Sequence, residues 1–183
     1  DDLMDRNQTQ KILMKDEVVL HTFKPYFRKE LLSVVLGALA LGLFFIPFGI
    51  GMMFDQDTPY YVGIIILAVY GVIFILMVLL QLLAFRNRFY TVTDKRFIIQ
   101  KGLLGIDFSS IPIEAVQFLS VNVSVIDKIL NKGTGSMTFG TVSTPVTAGQ
   151  PARFIFSNIL EVYENYKVLK ELIDEKTAQV VKE

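Results

Sequence analysis

The sequence predicts an α+β membrane protein: a two-helix transmembrane hairpin, then a small antiparallel β-sandwich or barrel capped by a C-terminal α-helix. Three observations predict it. Residues 31–54 and 60–85 form two runs of 24 and 26 residues without Asp, Glu, Lys, Arg or His. Between residues 89 and 156, short β-branched and aromatic segments alternate with glycine and proline breaks. From Ile159 to Ile173, apolar side chains recur at helical spacing. The chain has 183 residues with 18 basic and 18 acidic side chains, one histidine and no cysteine. Zero net charge argues against a nucleic-acid binder, which needs a basic surplus to displace phosphate counterions. The lack of cysteine excludes disulfides, thiolate metal sites and cysteine nucleophiles.

Residues 1–30 mix basic and acidic side chains with Leu3, Met4, Ile12, Leu13, Met14, Val18, Val19 and Leu20, and show no clean period. They are expected as a cytoplasmic N-terminal segment. A helix rises about 1.5 Å per residue and needs roughly 20 apolar residues to cross a bilayer core, so both uncharged runs are long enough to span. The first starts too far into the chain and is too long for a cleaved signal peptide. It also contains Pro47, which is expected to kink its helix or end its regular part. Only residues 55–59 separate the runs, and Thr58-Pro59 is a turn signal, so the spans form an antiparallel hairpin. Lys24, Arg28 and Lys29 precede it, Arg86 and Arg88 follow it, and its loop has neither Lys nor Arg. The positive-inside rule then puts both termini in the cytoplasm and Asp55 and Asp57 outside, in a multi-pass protein of the inner membrane. Ala38 and Gly42, four apart, allow close approach of a helix, either within the hairpin or from another subunit. Gln81 is expected in an interhelical hydrogen bond or at headgroup level.

Residues 86–183 are long enough for one compact cytoplasmic domain. Strands are expected at 89–93, 96–101, 108–112, 116–123, 136–142 and 153–156, with breaks at Gly133, Gly135, Pro145, Gly149 and Pro151. Residues 125–130 suggest a short helical turn. Ile159, Val162, Tyr166, Leu169 and Ile173 define one face of a C-terminal helix, with Asn158 and Glu161 as a capping box. Lys167 with Glu171, and Lys170 with Asp174, are spaced as i,i+4 pairs on its solvated face.

The segment Tyr90-Thr91-Val92-Thr93-Asp94-Lys95-Arg96-Phe97, followed by Gly102, resembles the opening of the bacterial pleckstrin-homology-like domain family, also described as the membrane-flanked domain. Val125-Ile126-Asp127-Lys128-Ile129-Leu130-Asn131-Lys132-Gly133-Thr134-Gly135 is similar to that family's second hallmark, a short turn leading into Gly-Thr and a strand. Glu17-Val18-Val19-Leu20 before a basic-flanked span also fits members of this layout. The family often has a proline just before the C-terminal helix; Ser157-Asn158-Ile159 has none. The resemblance implies two orthogonally packed sheets closed at one end by the C-terminal helix. Eukaryotic relatives often bind phosphoinositides through basic residues between the first two strands. The resemblance places Lys95 and Arg96 in that loop.

Other constellations point to little chemistry. A lone His21 lacks the partner ligands of a metal site. Gly133-Thr134-Gly135 lacks the Gly-Lys-Ser/Thr of a phosphate-binding loop. No nucleophilic triad, paired carboxylate or dinucleotide fingerprint is present, so no enzyme, cofactor or metal is expected. The expected function is a non-catalytic docking or assembly module of a membrane complex, with the lipid bilayer and a protein partner or a second copy as its partners. One alternative is recognition of anionic lipid headgroups by a belt of Lys24, Arg28, Lys29, Arg86, Arg88, Lys95 and Arg96. Another is a small transporter or channel subunit, against which the uncharged spans argue.

Overall fold

The structure, a computed structural model, describes residues 6–130, 132–141 and 154–180. It divides into two compact units: residues 30–83, and residues 1–29 together with 84–183.

The first unit consists of most of helix α1 (Phe27–Phe54) and helix α2 (Tyr61–Arg86). Small residues let the two helices approach. Ala38 is buried, and the Tyr70 hydroxyl donates a 2.9 Å hydrogen bond to its carbonyl. A methyl group on Gly42 would lie 2.6 Å from the Tyr70 oxygen, and one on Gly63 would lie 2.3 Å from the carbonyl oxygen of Gly49. Ala38 and Gly42 of α1 therefore both lie against Tyr70 of α2. Gln81 donates from its side-chain amide to the carboxylate of Glu30, linking the helices near their bases. At the turn, the Thr58 hydroxyl donates to the Asp55 carboxylate. The helix runs on through Pro47 rather than ending there. Proline deletes one N–H bond, and the helix continues for seven residues beyond it to Phe54.

The second unit holds two antiparallel sheets. The four-stranded sheet is ordered β1 (Val19–Phe23), β2 (Phe89–Thr93), β3 (Arg96–Lys101), β4 (Asp107–Pro112). The three-stranded sheet is ordered β5 (Phe118–Asn122), β6 (Gly135–Gly140), β7 (Phe154–Ile159). The short helix α3 (Val125–Leu130) links β5 to β6, and α4 (Val162–Val180) follows β7. Among the described residues no pairing joins β4 to β5 or β7 to β1, so the sheets form an unclosed sandwich and not a barrel. The expected strand ends at residues 142 and 153 lie outside the described residues, as do the breaks at Pro145, Gly149 and Pro151.

Four aromatic rings, Tyr90, Phe97, Phe139 and Phe156, form the centre of an otherwise largely aliphatic core. The ring of Phe156 stacks on Tyr90 at 4.8 Å and meets Phe139 at 4.7 Å, and Phe139 meets Phe97 at 4.5 Å. Leu169 and Ile173 of α4 close this core, with the helix packed on β5, β6 and the 3-10 turn Ile113–Ala115.

Several sequence expectations change. The segment before the first helix shows no clean period, yet it supplies β1, which pairs with β2 from Phe23↔Tyr90 to Val19↔Thr93. Five residues are too few, on an exposed edge, to show a binary pattern. Residues 6–17 cross the outer face of β2 and β3 and bury polar side chains that strand alternation would otherwise expose. Thr91 meets the hydroxyl of Thr9 at 3.3 Å, and Gln100 donates to the carbonyl of Arg6 at 2.6 Å. The expected capping box is also replaced. Asn158 lies in β7 and Glu161 has a φ of 50°, so the helix starts at Val162, whose N–H donates to the carbonyl of Gly133 at 2.9 Å. Ile159 ends the strand rather than starting the helix, while Val162, Tyr166, Leu169 and Ile173 keep their helical spacing. Lys170 pairs with Asp174 at 2.6 Å, but Lys167 pairs with Glu164 at 2.9 Å in place of Glu171.

Gly63→Ala is expected to cost about 1–3 kcal/mol through overpacking, since the new methyl meets backbone. Gly71→Ala, which meets nothing within 4 Å, is expected to be neutral or slightly stabilising. Thermal unfolding of the two variants in detergent checks the contrast.

Candidate functional site

The candidate surface is built on the ends of the four-stranded sheet. Antiparallel pairing puts Phe23 beside Tyr90 and Phe89 beside Gln100. Residues just after β1, just before β2 and at the end of β3 therefore share one end. That end holds Lys24, Arg88 and Lys101. The other end holds the Asp94–Lys95 turn. Four steps of about 3.3 Å along β2 separate them, on the order of 13 Å.

At the first end, the Lys24 ammonium lies 4.8 Å from the ring centroids of both Phe85 and Phe89. Burial lowers its pKa. Arg28 is exposed, while Arg86 and Arg88 are half-buried. Lys29 is buried and points inward. Its ammonium lies 2.5 Å from the carboxylate of Asp127, which also accepts from the Ser124 N–H at 2.8 Å, the Ser124 hydroxyl at 2.7 Å and the Thr134 hydroxyl at 2.5 Å. Burial alone would raise the pKa of Asp127; Lys29 and the three other donors overcome it and hold the carboxyl below its usual range. This network ties α3 and the start of β6 to the first turn of α1.

At the far end, Lys95 is exposed and its ammonium reaches the carbonyl of Lys15 at 3.4 Å. Arg96 is engaged: its Nε lies 2.9 Å and its Nη2 3.0 Å from the two oxygens of Glu17, and Nη2 also donates to the carbonyl of Ile12 at 2.7 Å. Glu17 further accepts from Met14 N–H at 2.7 Å and from the Thr93 hydroxyl at 2.8 Å. Burial would raise its pKa, but these bonds dominate and lower it from 4.5 to about 2. The seven basic residues expected as one belt are thus not brought together. Lys24, Arg28, Arg86 and Arg88 lie at the hairpin end, Lys95 and Arg96 lie across the sheet, and Lys29 and Arg96 are spent on buried carboxylates.

Sequence reasoning missed Glu17, Asp127 and Asn87 as organising residues. Glu17 and Asp127 fall in the quoted motifs, but a carboxylate in a turn reads as solvated. Asn87, also buried, spreads its side-chain amide across the carbonyls of Gly102, Leu103 and Gly105 at 3.3, 3.4 and 3.4 Å.

The family model for the bacterial PH domain matches residues 30–176. The chain belongs to the bacterial PH domain family. A crystal structure of a protein with a pleckstrin-homology domain from Shewanella loihica aligns at 13% identity with a TM-score of 0.33, covering 48% of this chain and 72% of that one; a likeness so distant carries no argument. No curated protein matches the chain. In this bacterial PH domain the matched stretch starts after β1. The first two strands of its sheet are β1 and β2, and the entire α1–α2 hairpin connects them. Lys95 lies in the turn between β2 and β3, the first two strands of the matched stretch, and Arg96 opens β3.

Removing one partner of a buried pair strands the other charge. Asp127→Ala is expected to destabilise the unit by about 3–5 kcal/mol in thermal or denaturant unfolding. The depressed Glu17 carboxyl contributes stability, on the order of 3 kcal/mol, at pH above the unfolded value. That contribution is expected to fade as pH falls from about 4.5 towards 2. In Glu17→Gln, unfolding followed against pH should show a shallower acid limb.

Proposed function

We propose that this chain is a membrane-anchored PH-like module, non-catalytic, that docks or assembles other proteins on the cytoplasmic face of the inner membrane. The observation that carries the anchor is the bareness of the helices. Only 11% and 6% of the most apolar windows of α1 and α2 are buried, whereas a core helix of a soluble domain is mostly covered. Lipid is the cover that suits two helices apolar on every side. Basic residues at the bases of both helices, against a loop carrying Asp55 and Asp57, favour cytoplasmic termini.

Docking is favoured by β1. It is an edge strand with Val19 and Leu20 exposed, next to Val18; it carries no edge proline or lysine, and its protection is limited to its short length and a register shift between Val19 and His21. Such an edge can accept an added strand from a partner. A groove of about 440 Å³ lies beside it, lined by Thr22, Phe23, Lys24, Ile159, Glu161 and Asn165. Headgroup recognition by the seven-residue belt is less favoured, because Lys29 and Arg96 are committed to buried carboxylates.

The chain has no thiol, so single cysteines report cleanly. In intact cells, Asp57→Cys is expected to react with an impermeant thiol reagent, and Lys95→Cys only after permeabilisation; the reverse pattern overturns the orientation. A photo-crosslinker at Leu20 is expected to trap a discrete protein adduct in native membranes, and its absence would count against docking at this edge.

A further inference from the structure

We propose that the β3–β4 loop, Gly102-Leu103-Leu104-Gly105, contacts the lipid surface and seats the PH-like unit against the bilayer beside the exit of α2. The inference rests on the membrane reading of α1 and α2 and adds to it a contact outside the spans.

Three observations on this unit converge. The loop is apolar where a hairpin tip is ordinarily polar: Leu104 is 87% exposed and Leu103 39%. The loop is also held in place. Asn87, one residue beyond the end of α2, donates to the carbonyls at both ends of the loop and to that of Leu103 between them. Gly102 has a φ of 147°, and a methyl group there would lie 2.2 Å from the carbonyl oxygen of Gly105, so the turn is tight as well as tethered. Three cations lie near the loop, against one carboxylate among the described residues, Asp107, which pairs in register with Lys101. Lys101 is exposed at the end of β3, and Arg86 and Arg88 flank Asn87.

An apolar tip fixed beside the last residue of a membrane-spanning helix has one natural occupant for its surface. Apolar side chains on an interfacial element bury roughly 5–10 Å into the boundary between headgroups and acyl chains, and nearby cations favour anionic lipid. The opposite turn supplies the contrast. Asp94 and Lys95 form the tip of the β2–β3 hairpin, a strand length away, and neither is apolar. A water-facing turn has that chemistry; the Leu103–Leu104 tip does not.

The test uses the full chain in vesicles of phosphatidylethanolamine and phosphatidylglycerol. Leu104→Cys, Lys95→Cys and Leu76→Cys are each labelled with an environment-sensitive fluorophore. Leu76 lies mid-way along α2 and reports the span itself. All three positions are away from the core, and matching thermal unfolding verifies that the unit is intact. The expected result is blue-shifted emission and quenching by lipid-borne nitroxide at positions 104 and 76, with neither at 95. Quenching at 76 but not at 104 would overturn the loop contact and leave the span standing. Absence of quenching at 76 as well would overturn the membrane reading and this inference with it.

Discussion

The constraint on which the unit depends is the pairing of β1 with β2. These strands are hydrogen-bonded neighbours, yet everything from Lys24 to Arg88 lies between them in sequence. Strand spacing, close to 4.8 Å, then fixes how near to one another the chain leaves and re-enters the sheet. The hairpin is therefore an insertion within a domain and not an appendage in front of one. From this follow the cluster of Lys24, Phe85 and Phe89, and the contact of Phe27 with Phe85 at 5.1 Å. Each joins a residue before the hairpin, or at its first turn, to one at its far end.

Two buried ion pairs set the remaining geometry, and they work at opposite ends of the sheet. Lys29 with Asp127 joins the start of α1 to α3 and β6. Glu17 with Arg96 fastens the N-terminal segment over the outer face of β2 and β3. Each carboxylate is met by neutral donors as well as a cation, which is the condition under which a buried charge is tolerated. The outer segment also explains why Thr91, Thr93 and Gln100 sit on a strand face without reaching water. Their polar groups are satisfied by chain that arrives from before the hairpin.

Much of the fold was legible in the sequence, for physical reasons specific to each element. The two apolar helices announce themselves because an uncharged run of that length has few other uses. Strands β2, β3 and β4 are bounded by Gly102 and by the Thr93-Asp94-Lys95 turn, so their limits fall within a residue or two of those expected. The C-terminal helix is marked by the spacing of Val162, Tyr166, Leu169 and Ile173. Its start is not, because Ile159 continues the same spacing while belonging to a strand, and the break is made by backbone at Glu161 with φ of 50°. The candidate site was the least legible part. Charge type is visible in a sequence, but whether a lysine faces solvent or a buried carboxylate is decided by long-range pairing, as Lys29 and Asp127 illustrate. The unreadable β1 had the widest effect, since it hid the pairing that carries the chain before the hairpin onto the sheet.

The split sheet also sets an order of events during synthesis. Phe23 cannot pair with Tyr90 until about 65 further residues have been made, which at 5–20 residues per second takes on the order of 3–13 seconds. Throughout that interval the N-terminal segment has no β2 to rest on, and Val18, Val19 and Leu20 wait as an unpaired strand. The hairpin must be complete before the domain that flanks it can begin to close. The sheet is thus completed last at the strand that is made first, and its N-terminal edge is the part that waits longest for a partner.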